Sequence, residues 1–137
     1  MPPSQLQKPR DRSERSITMT NQALVEPGTI APLADQASPD MYAELVNTGT
    51  TRLVRMVMPP GATDAPHRHP EEIVYFVRGG SLSIRLEDGT RVEKEVADGE
   101  VMHNGPWTHQ VTNAGENEVE AIIFERLDND VEGAHHG

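Results

Sequence analysis

Short segments with β-strand character alternate with turn residues along most of the sequence, and this alternation restricts the fold more than any other feature. Residues 73–78 (IVYFVR) are rich in β-branched and aromatic residues, and residues 81–87 (SLSIRLE) alternate apolar with polar side chains. Asp88-Gly89 then provides a typical hairpin turn. The same pattern predicts eight short strands, at residues 41–47, 51–58, 73–78, 81–87, 90–96, 100–104, 108–113 and 118–127.

This spacing of strands is typical of an all-β sandwich or barrel, and neither a helical period nor an internal repeat interrupts it. Residues 73–78 and 121–124 (AIIF) are apolar on both strand faces. In a barrel this small one face packs on the core, so a neighbouring subunit is expected to cover the other. We therefore predict a homodimer, with a thick hydrophobic core as the alternative explanation.

The chain of 137 residues has no cysteine and a formal net charge of −10. Without cysteine, neither a disulfide framework nor a thiolate metal site can form. The negative charge argues against nucleic acid as a partner, because phosphate binding requires a basic surface. No apolar run is long enough for a membrane span, and the N-terminus lacks the apolar core of a secretory signal. We expect no membrane partner and a cytoplasmic location by default.

Composition also predicts the limits of the folded domain. Residues 1–22 are rich in Pro, Ser, Gln and charged residues and have little to bury, which predicts a disordered basic leader. One domain is predicted at residues 23–127, followed by a flexible tail at residues 128–137. The sequence leaves open whether translation starts at Met1 or at Met19.

Two histidines, His67 and His69, stand one residue apart just before the strand at 73–78. Side chains at positions i and i+2 of a β-strand point to the same face, so the two imidazoles are expected side by side. Neutral imidazoles suit one divalent transition metal such as Fe, Mn, Zn, Ni or Cu. His109, at the start of a strand that follows a Gly-Pro turn, is the best candidate for a third ligand. The alternative is that His67 and His69 lie on an exposed loop after Pro66.

The stretch from residue 61 to residue 80 (GATDAPHRHPEEIVYFVRGG) resembles the first conserved motif of the cupin family, G-x5-H-x-H-x3,4-E-x6-G. Only two residues separate the second histidine from the glutamate, where the family usually has three or four. The positions that fall on the motif are Gly61, His67, His69, Glu72 and Gly79.

A second stretch, DGEVMHNGPWTHQVTN, is similar to the second cupin motif, G-x5-P-x-G-x2-H-x3-N. Gly99, His109 and Asn113 match it, although the stretch is one residue short and has Gly-Pro-Trp in place of Pro-x-Gly. A hairpin separates the two motifs, as it does in cupins. Two motifs in this order make a specific resemblance to the fold.

The resemblance is closest to small single-domain cupins, some of which are connected with β-alanine degradation. It implies a double-stranded β-helix, a jelly-roll-like small β-barrel that is often dimeric. It also implies one divalent metal held by three histidines and frequently by one glutamate. Carried over to this chain, the ligands are His67, His69 and His109, with Glu72 as the fourth.

Two neighbouring carboxylates compete for the fourth position. Glu72 keeps the motif's distance to Gly79, but its odd offset from His69 turns it to the opposite face of a regular strand. Glu71 lies two residues after His69 and would share its strand face, but its distance to Gly79 does not match the motif. A bend at Pro70 would turn Glu72 toward the face that carries the histidines. If neither glutamate reaches the metal, a water molecule completes the site. The alternative for both is a solvated acidic pair.

Three further residues are candidates for lining the pocket or supporting the ligands. His103 is a candidate for lining the cavity, where it could orient a ligand or transfer a proton, although a histidine at such a position is more often at the surface or in the core. Trp107 is a candidate apolar wall, although packing against Pro106 explains it equally well. Glu71 is the third candidate.

A metal with three protein ligands leaves positions for a substrate and for water or O2. We therefore expect a metal-dependent oxygenase, lyase or isomerase acting on a small carboxylate-bearing or oxygen-rich metabolite. The alternative is a non-catalytic cupin that binds or senses a small molecule, with a structural metal or none. The fold alone does not choose between them, and no catalytic residue can be named from the sequence.

Overall fold

A computed structural model describes residues 22–129 of the chain. Within this range there are nine β-strands, one short helix α1 (Ala34–Ala37) and a 3-10 turn (Leu127–Asn129). The strands are β1 (Tyr42–Asn47), β2 (Thr51–Met58), β3 (His67–His69), β4 (Glu72–Arg78), β5 (Gly80–Leu86), β6 (Arg91–Val96), β7 (Val101–Asn104), β8 (Trp107–Asn113) and β9 (Val119–Arg126).

All eight predicted strands are present, and β3 is an additional short strand that carries the histidine pair. The prediction of an all-β fold is confirmed. Helix α1 was not predicted, because four residues make one turn and are too short to produce a hydrophobic period.

Two antiparallel sheets form the body of the protein. One has five strands in the order β1-β2-β9-β4-β7, and the other has four in the order β3-β8-β5-β6. Apolar side chains of both sheets pack into one shared core, for example Val54, Val74 and Ile123 from the first and Leu82 and Val111 from the second. Strand β3 lies at the edge of the smaller sheet, next to β8.

Strands β2 and β9 bring two charged residues into this core. Every second residue of each strand is buried, as expected for strands with one face on the core. Most of the inward positions are apolar, but Arg52 and Glu125 occupy inward positions at one end of the pair. They are Cα partners in the β2–β9 ladder, so their side chains meet.

The chain bends between β3 and β4, at Pro70 and Glu71. Strand β3 ends at His69 and β4 begins at Glu72, and both of these residues are buried. An unbroken strand would turn them to opposite faces. Because Pro70 and Glu71 interrupt the strand, the side chains do not alternate regularly between His69 and Glu72. Glu72 therefore faces the interior, while Glu71 is partly exposed.

At two positions of the sequence motifs, the surrounding structure explains why the residue is a glycine. A Cβ atom at Gly79 would lie 2.0 Å from the carbonyl oxygen of Val96, so the turn between β4 and β5 has no room for a larger residue. Gly99 has a φ of 81°, in the left-handed region that disfavours other residues. Both turns set the positions of the strands that flank the interior.

The centre of the outer face of the five-stranded sheet is apolar. Ile73 pairs with Phe124, and Tyr75 pairs with Val101, across neighbouring strands. Their exposed fractions are 46% for Ile73, 40% for Phe124, 48% for Tyr75 and 61% for Val101. Strand β4 is therefore apolar on both faces, and its outer face is open to solvent in the single chain.

None of the helices in residues 22–129 combines the length and the apolar character that a membrane crossing requires. The predicted leader (1–22) and tail (128–137) lie outside the described residues, apart from Gln22, Asp128 and Asn129.

Candidate metal centre

The pairing of β3 with β8 brings three histidines together. His67 and His109 are Cα partners in this antiparallel pair, and such partners point to the same face. His69 lies two residues after His67 and shares that face. All three are buried, with exposed fractions of 0% for His67, 3% for His69 and 4% for His109.

The three imidazole rings contact one another. Ring centroids are separated by 4.8 Å between His67 and His69, by 4.7 Å between His67 and His109, and by 5.1 Å between His69 and His109. Each ring offers a nitrogen within 4.8 Å of the others. The Nε2 atoms of His67 and His69 are separated by 3.1 Å. Two nitrogens bound to one ion at about 2.1 Å stand roughly 3.0–3.4 Å apart, which matches this separation.

Hydrogen bonds determine which nitrogen of each ring carries the proton. His67 Nδ1 lies 2.8 Å from the carbonyl oxygen of Ala65, which can only accept. His69 Nδ1 lies 2.5 Å from Glu125 Oε2, a carboxylate oxygen. Both Nδ1 atoms therefore donate, and when both rings are neutral their Nε2 atoms present lone pairs to each other. A metal-binding histidine has this arrangement, with its second nitrogen held by a carbonyl or a carboxylate.

His109 is buried and lacks hydrogen-bond partners. Neither its Nδ1 nor its Nε2 has a partner among residues 22–129. Its nearest aromatic neighbour, Trp107, packs with its ring centroid at 4.1 Å and donates its own N–H to Glu72. An unpaired buried polar atom costs about 1–3 kcal/mol. A cation shared with His67 and His69 would give one of the two nitrogens of His109 a partner and reduce this cost, so the residues fit a divalent metal ion.

The environment keeps two of the rings in the neutral form that metal binding requires. Burial, with a contribution from the charge of His69, lowers the pKa of His67 to about 3. Burial and the other two histidines lower the pKa of His109 well below its ordinary value. Burial also acts to lower the pKa of His69, but the carboxylates of Glu72 and Glu125 outweigh it and raise the pKa. These carboxylates supply negative charge beside the cluster, which favours a cation.

A buried ion pair holds His69 in place. Glu125 is fully buried and accepts from His69 Nδ1 with Oε2 and from Arg52 Nε with Oε1, the latter at 2.6 Å. Arg52 also contacts Asp35 at 2.9 Å and Glu44 at 3.2 Å through its Nη1 atom. Sequence reasoning missed Arg52 and Glu125. The sequence signal that could have found them is strand alternation, because each lies at an even spacing from the inward apolar residues of its strand.

A second buried carboxylate, Asp64, lies beside His67. Asp64 Oδ2 accepts from the Tyr42 hydroxyl at 2.6 Å and lies 3.7 Å from His67 Nδ1. Burial raises the pKa of Asp64 to about 6. The Tyr42 ring packs against His67, with 5.4 Å between the ring centroids. Neither Asp64 nor Tyr42 was predicted, because a single aspartate in a loop carries no periodic signal.

Glu72 is buried beside the histidines but does not join their cluster. Its Oε2 accepts from Asn104 Nδ2 at 2.9 Å and from Trp107 Nε1 at 2.8 Å. Its Oε1 lies 3.3 Å from His69 Nδ1 and has no hydrogen-bond partner in the described chain. Glu72, His69 and Glu125 form a second group of potential ligands. Both oxygens of Glu125 are already occupied there, so the three histidines are the better site.

Glu71 and His103 lie on the outside of the barrel. His103 is 62% exposed, and its Nε2 lies 2.8 Å from Glu71 Oε2. Arg126 Nη1 donates to the other oxygen of Glu71 at 3.1 Å. Neither residue lines the cavity at the histidines. This placement differs from the pocket role considered for both residues and agrees with the surface alternative given for each, because the bend at Pro70 turns Glu71 outward and because His103 pairs with the outward-facing Ile73.

The histidine cluster borders an interior cavity of about 50 Å³. His69, His109 and Glu72 lie at one end of it, and Trp107 forms part of its wall. The remaining lining is mostly aliphatic and aromatic. An ion at the cluster would therefore face a small space with mostly apolar walls.

Comparisons with known proteins agree with this architecture. The family model Cupin_2, described as a cupin domain, matches residues 54–125, which is more than half of the chain. A cupin domain from Bordetella pertussis Tohama I gives a TM-score of 0.58 at 20% identity, over 72% of this chain and 98% of that one. An RmlC-like cupin family protein with a double-stranded β-helix fold from Methanocaldococcus jannaschii gives 0.52 at 15% identity, over 74% and 93%.

No curated protein matched the sequence. At 15–20% identity the two structures show a shared fold and do not indicate a substrate. The resemblance to cupins connected with β-alanine degradation and the cytoplasmic location both stay predictions.

Replacing Arg52 with methionine should destabilise the protein strongly, because Glu125 would keep a buried charge without its cation. We expect the free energy of unfolding to fall by about 3–5 kcal/mol. Arg55→Met is the matched control, since Arg55 lies on the same strand and forms an exposed ion pair with Glu120. That change should cost at most about 1 kcal/mol. Urea denaturation followed by circular dichroism measures both, and equal losses would contradict the assigned role of Arg52.

Proposed function

This chain belongs to the Cupin_2 family of cupin domains, and we propose that it is a mononuclear-metal enzyme acting on a small carboxylate-bearing metabolite. Its centre would hold one divalent transition metal, such as Fe, Mn, Zn, Ni or Cu, through His67, His69 and His109. One observation supports this most. The buried nitrogens of His109 have no partner in the described chain, and they lie beside two Nε2 atoms that face each other.

A metal bound at this centre would polarise an oxygen of the ligand as a Lewis acid, or support oxygen chemistry if it is iron. The residues of the chain supply the remaining functions. Glu125 and the backbone carbonyl of Ala65 orient His69 and His67. The apolar walls of the cavity exclude water, which strengthens every electrostatic interaction inside it.

Glu72 is the residue best placed to move a proton. Asn104 and Trp107 both donate to its Oε2, so the carboxylate is held in one orientation. Glu72 lines the cavity, and its Oε1 has no hydrogen-bond partner within residues 22–129. A fixed carboxylate with one available oxygen can accept a proton from a substrate and return it. We therefore assign Glu72 to proton transfer instead of metal ligation.

A non-catalytic binding module is the second candidate, and the position of Glu72 is the observation that favours it. Without a carboxylate ligand, three neutral imidazoles leave the full positive charge of the ion to an incoming anion. Such a centre can hold a small carboxylate without transforming it. Metal-loaded protein that binds small carboxylates but turns none of them over, with any of the five metals, would establish this alternative.

Metal binding should depend on His109 and not on His103. Protein purified without added metal is expected to carry about one equivalent per chain. His109→Ala removes a direct ligand and should weaken binding by at least about 100-fold, since even loss of a ligand's supporting partner costs 10–100-fold. His103→Ala is the control, because His103 is exposed on the outer surface. Elemental analysis and metal titration measure the effect. Equal metal content in both variants would refute the three-histidine centre.

Glu72→Gln should separate catalysis from metal binding. The glutamine keeps the size and the hydrogen-bond acceptor of Glu72 but cannot exchange a proton. We expect kcat on any substrate of the metal-loaded enzyme to fall by about 10²–10⁴-fold, with metal content unchanged. Glu71→Gln, at the neighbouring outward position, is the control and should retain activity. Loss of metal from Glu72→Gln would instead identify Glu72 as a ligand.

We also propose that the chain forms a homodimer through the outer face of the five-stranded sheet. Ile73, Tyr75 and Phe124 form an exposed apolar cluster there, of the kind that marks protein interfaces. Tyr75→Lys should convert a dimer to a monomer in analytical ultracentrifugation, because the new charge would be buried at the contact. Val92→Lys, at a similarly exposed apolar residue of the other sheet, should leave the dimer intact. A wild-type protein of one chain mass at micromolar concentration would contradict the proposal.

A further inference from the structure

The cavity beside the histidines is polar at one end and apolar elsewhere. Beyond the metal centre its walls are aliphatic or aromatic side chains from both sheets, namely Val74, Phe76, Leu82, Ile84, Ala121 and Ile123. All six are buried core residues. No lysine or arginine of residues 22–129 lines this cavity. An anionic group on a ligand therefore has only the metal centre to bind.

Three side chains that line the cavity already donate hydrogen bonds to buried carboxylates. Asn104 and Trp107 donate to Glu72, and Tyr42 donates to Asp64. The unpaired acceptor, Glu72 Oε1, lies at the histidine end. Hydroxyl groups placed deeper in the cavity would lose their water partners without gaining new ones, which weakens binding.

The size of the cavity limits the ligand further. One water molecule occupies roughly 10–15 Å³, so a cavity of about 50 Å³ is small and admits roughly three to five atoms of that size. A carboxylate bound at the histidines would then leave room for an alkyl chain of two or three carbons. A sugar or a sugar acid is too large and too polar for this space.

We propose that the ligand of this centre is a short-chain aliphatic monocarboxylate, with its carboxylate at the three histidines and its alkyl chain in the apolar cavity. This inference rests on the proposed metal centre for the position of the carboxylate. It narrows the expected ligand class, because the walls do not suit an oxygen-rich metabolite.

The test uses the zinc-loaded full chain and a homologous series of acetate, propionate, butyrate and hexanoate. Trp107 is the only tryptophan of the chain and lies in the cavity wall, so its fluorescence reports binding at this site. Affinity should rise about fourfold for each added methylene up to butyrate, and fall for hexanoate. The isosteric 3-hydroxypropionate should bind at least about fivefold more weakly than butyrate.

Val74→Ala provides a structural check on the cavity wall. Removing two methyl groups enlarges the cavity and should favour longer carboxylates. The ratio of the affinity for hexanoate to the affinity for butyrate should rise by at least about fivefold. Val77→Ala makes the same change at an exposed position of the same strand and should leave the preference unchanged. Circular dichroism spectra of both variants verify that the fold is retained.

Metal analysis of the same samples separates the two proposals. Bound zinc with tighter binding of 3-hydroxypropionate, or with no fluorescence response to any carboxylate, would overturn the ligand class and leave the metal centre standing. Absence of zinc from the wild-type protein would overturn the metal centre. If zinc is absent and the fluorescence of Trp107 also fails to respond to any carboxylate, the ligand proposal is overturned. If zinc is absent but butyrate still binds more tightly than the other carboxylates, the cavity selects the ligand as proposed.

Discussion

Two lone pairs that face each other in the protein interior are the constraint on which the site depends. His67 Nε2 and His69 Nε2 lie 3.1 Å apart, and both Nδ1 atoms are committed to acceptors. Only positive charge between the two Nε2 atoms makes this arrangement favourable. One proton would satisfy His67 and His69 but would leave the buried nitrogens of His109 without a partner. A single metal ion would give each of the three rings a partner at one nitrogen.

The fold creates this constraint in two ways. The β3–β8 pairing places His67 opposite His109, and the two-residue spacing adds His69 on the same face. The inward positions of β2 and β9 then supply Arg52 and Glu125, which orient His69 and neutralise each other. The charges are thus arranged so that the carboxylate supports the imidazole without occupying the metal position.

Alternation within single strands, a local signal, predicted the strands and the shared face of His67 and His69, and the resemblance to the two cupin motifs added His109. It did not predict Arg52 and Glu125, because their role depends on a ladder between strands 73 residues apart in sequence. The roles of Glu71 and Glu72 depended on whether Pro70 bends the chain, which strand parity alone cannot determine. His103 was a candidate for the cavity because its strand position did not reveal which sheet face would be covered.

The most direct test of the metal centre is anomalous X-ray diffraction from crystals of the wild-type protein, measured at the absorption edge of the metal that it carries. The proposal predicts one anomalous peak per chain, at about 2.0–2.2 Å from a ring nitrogen of each of His67, His69 and His109. A peak at the group formed by His69, Glu72 and Glu125, or no peak in the interior, would contradict it.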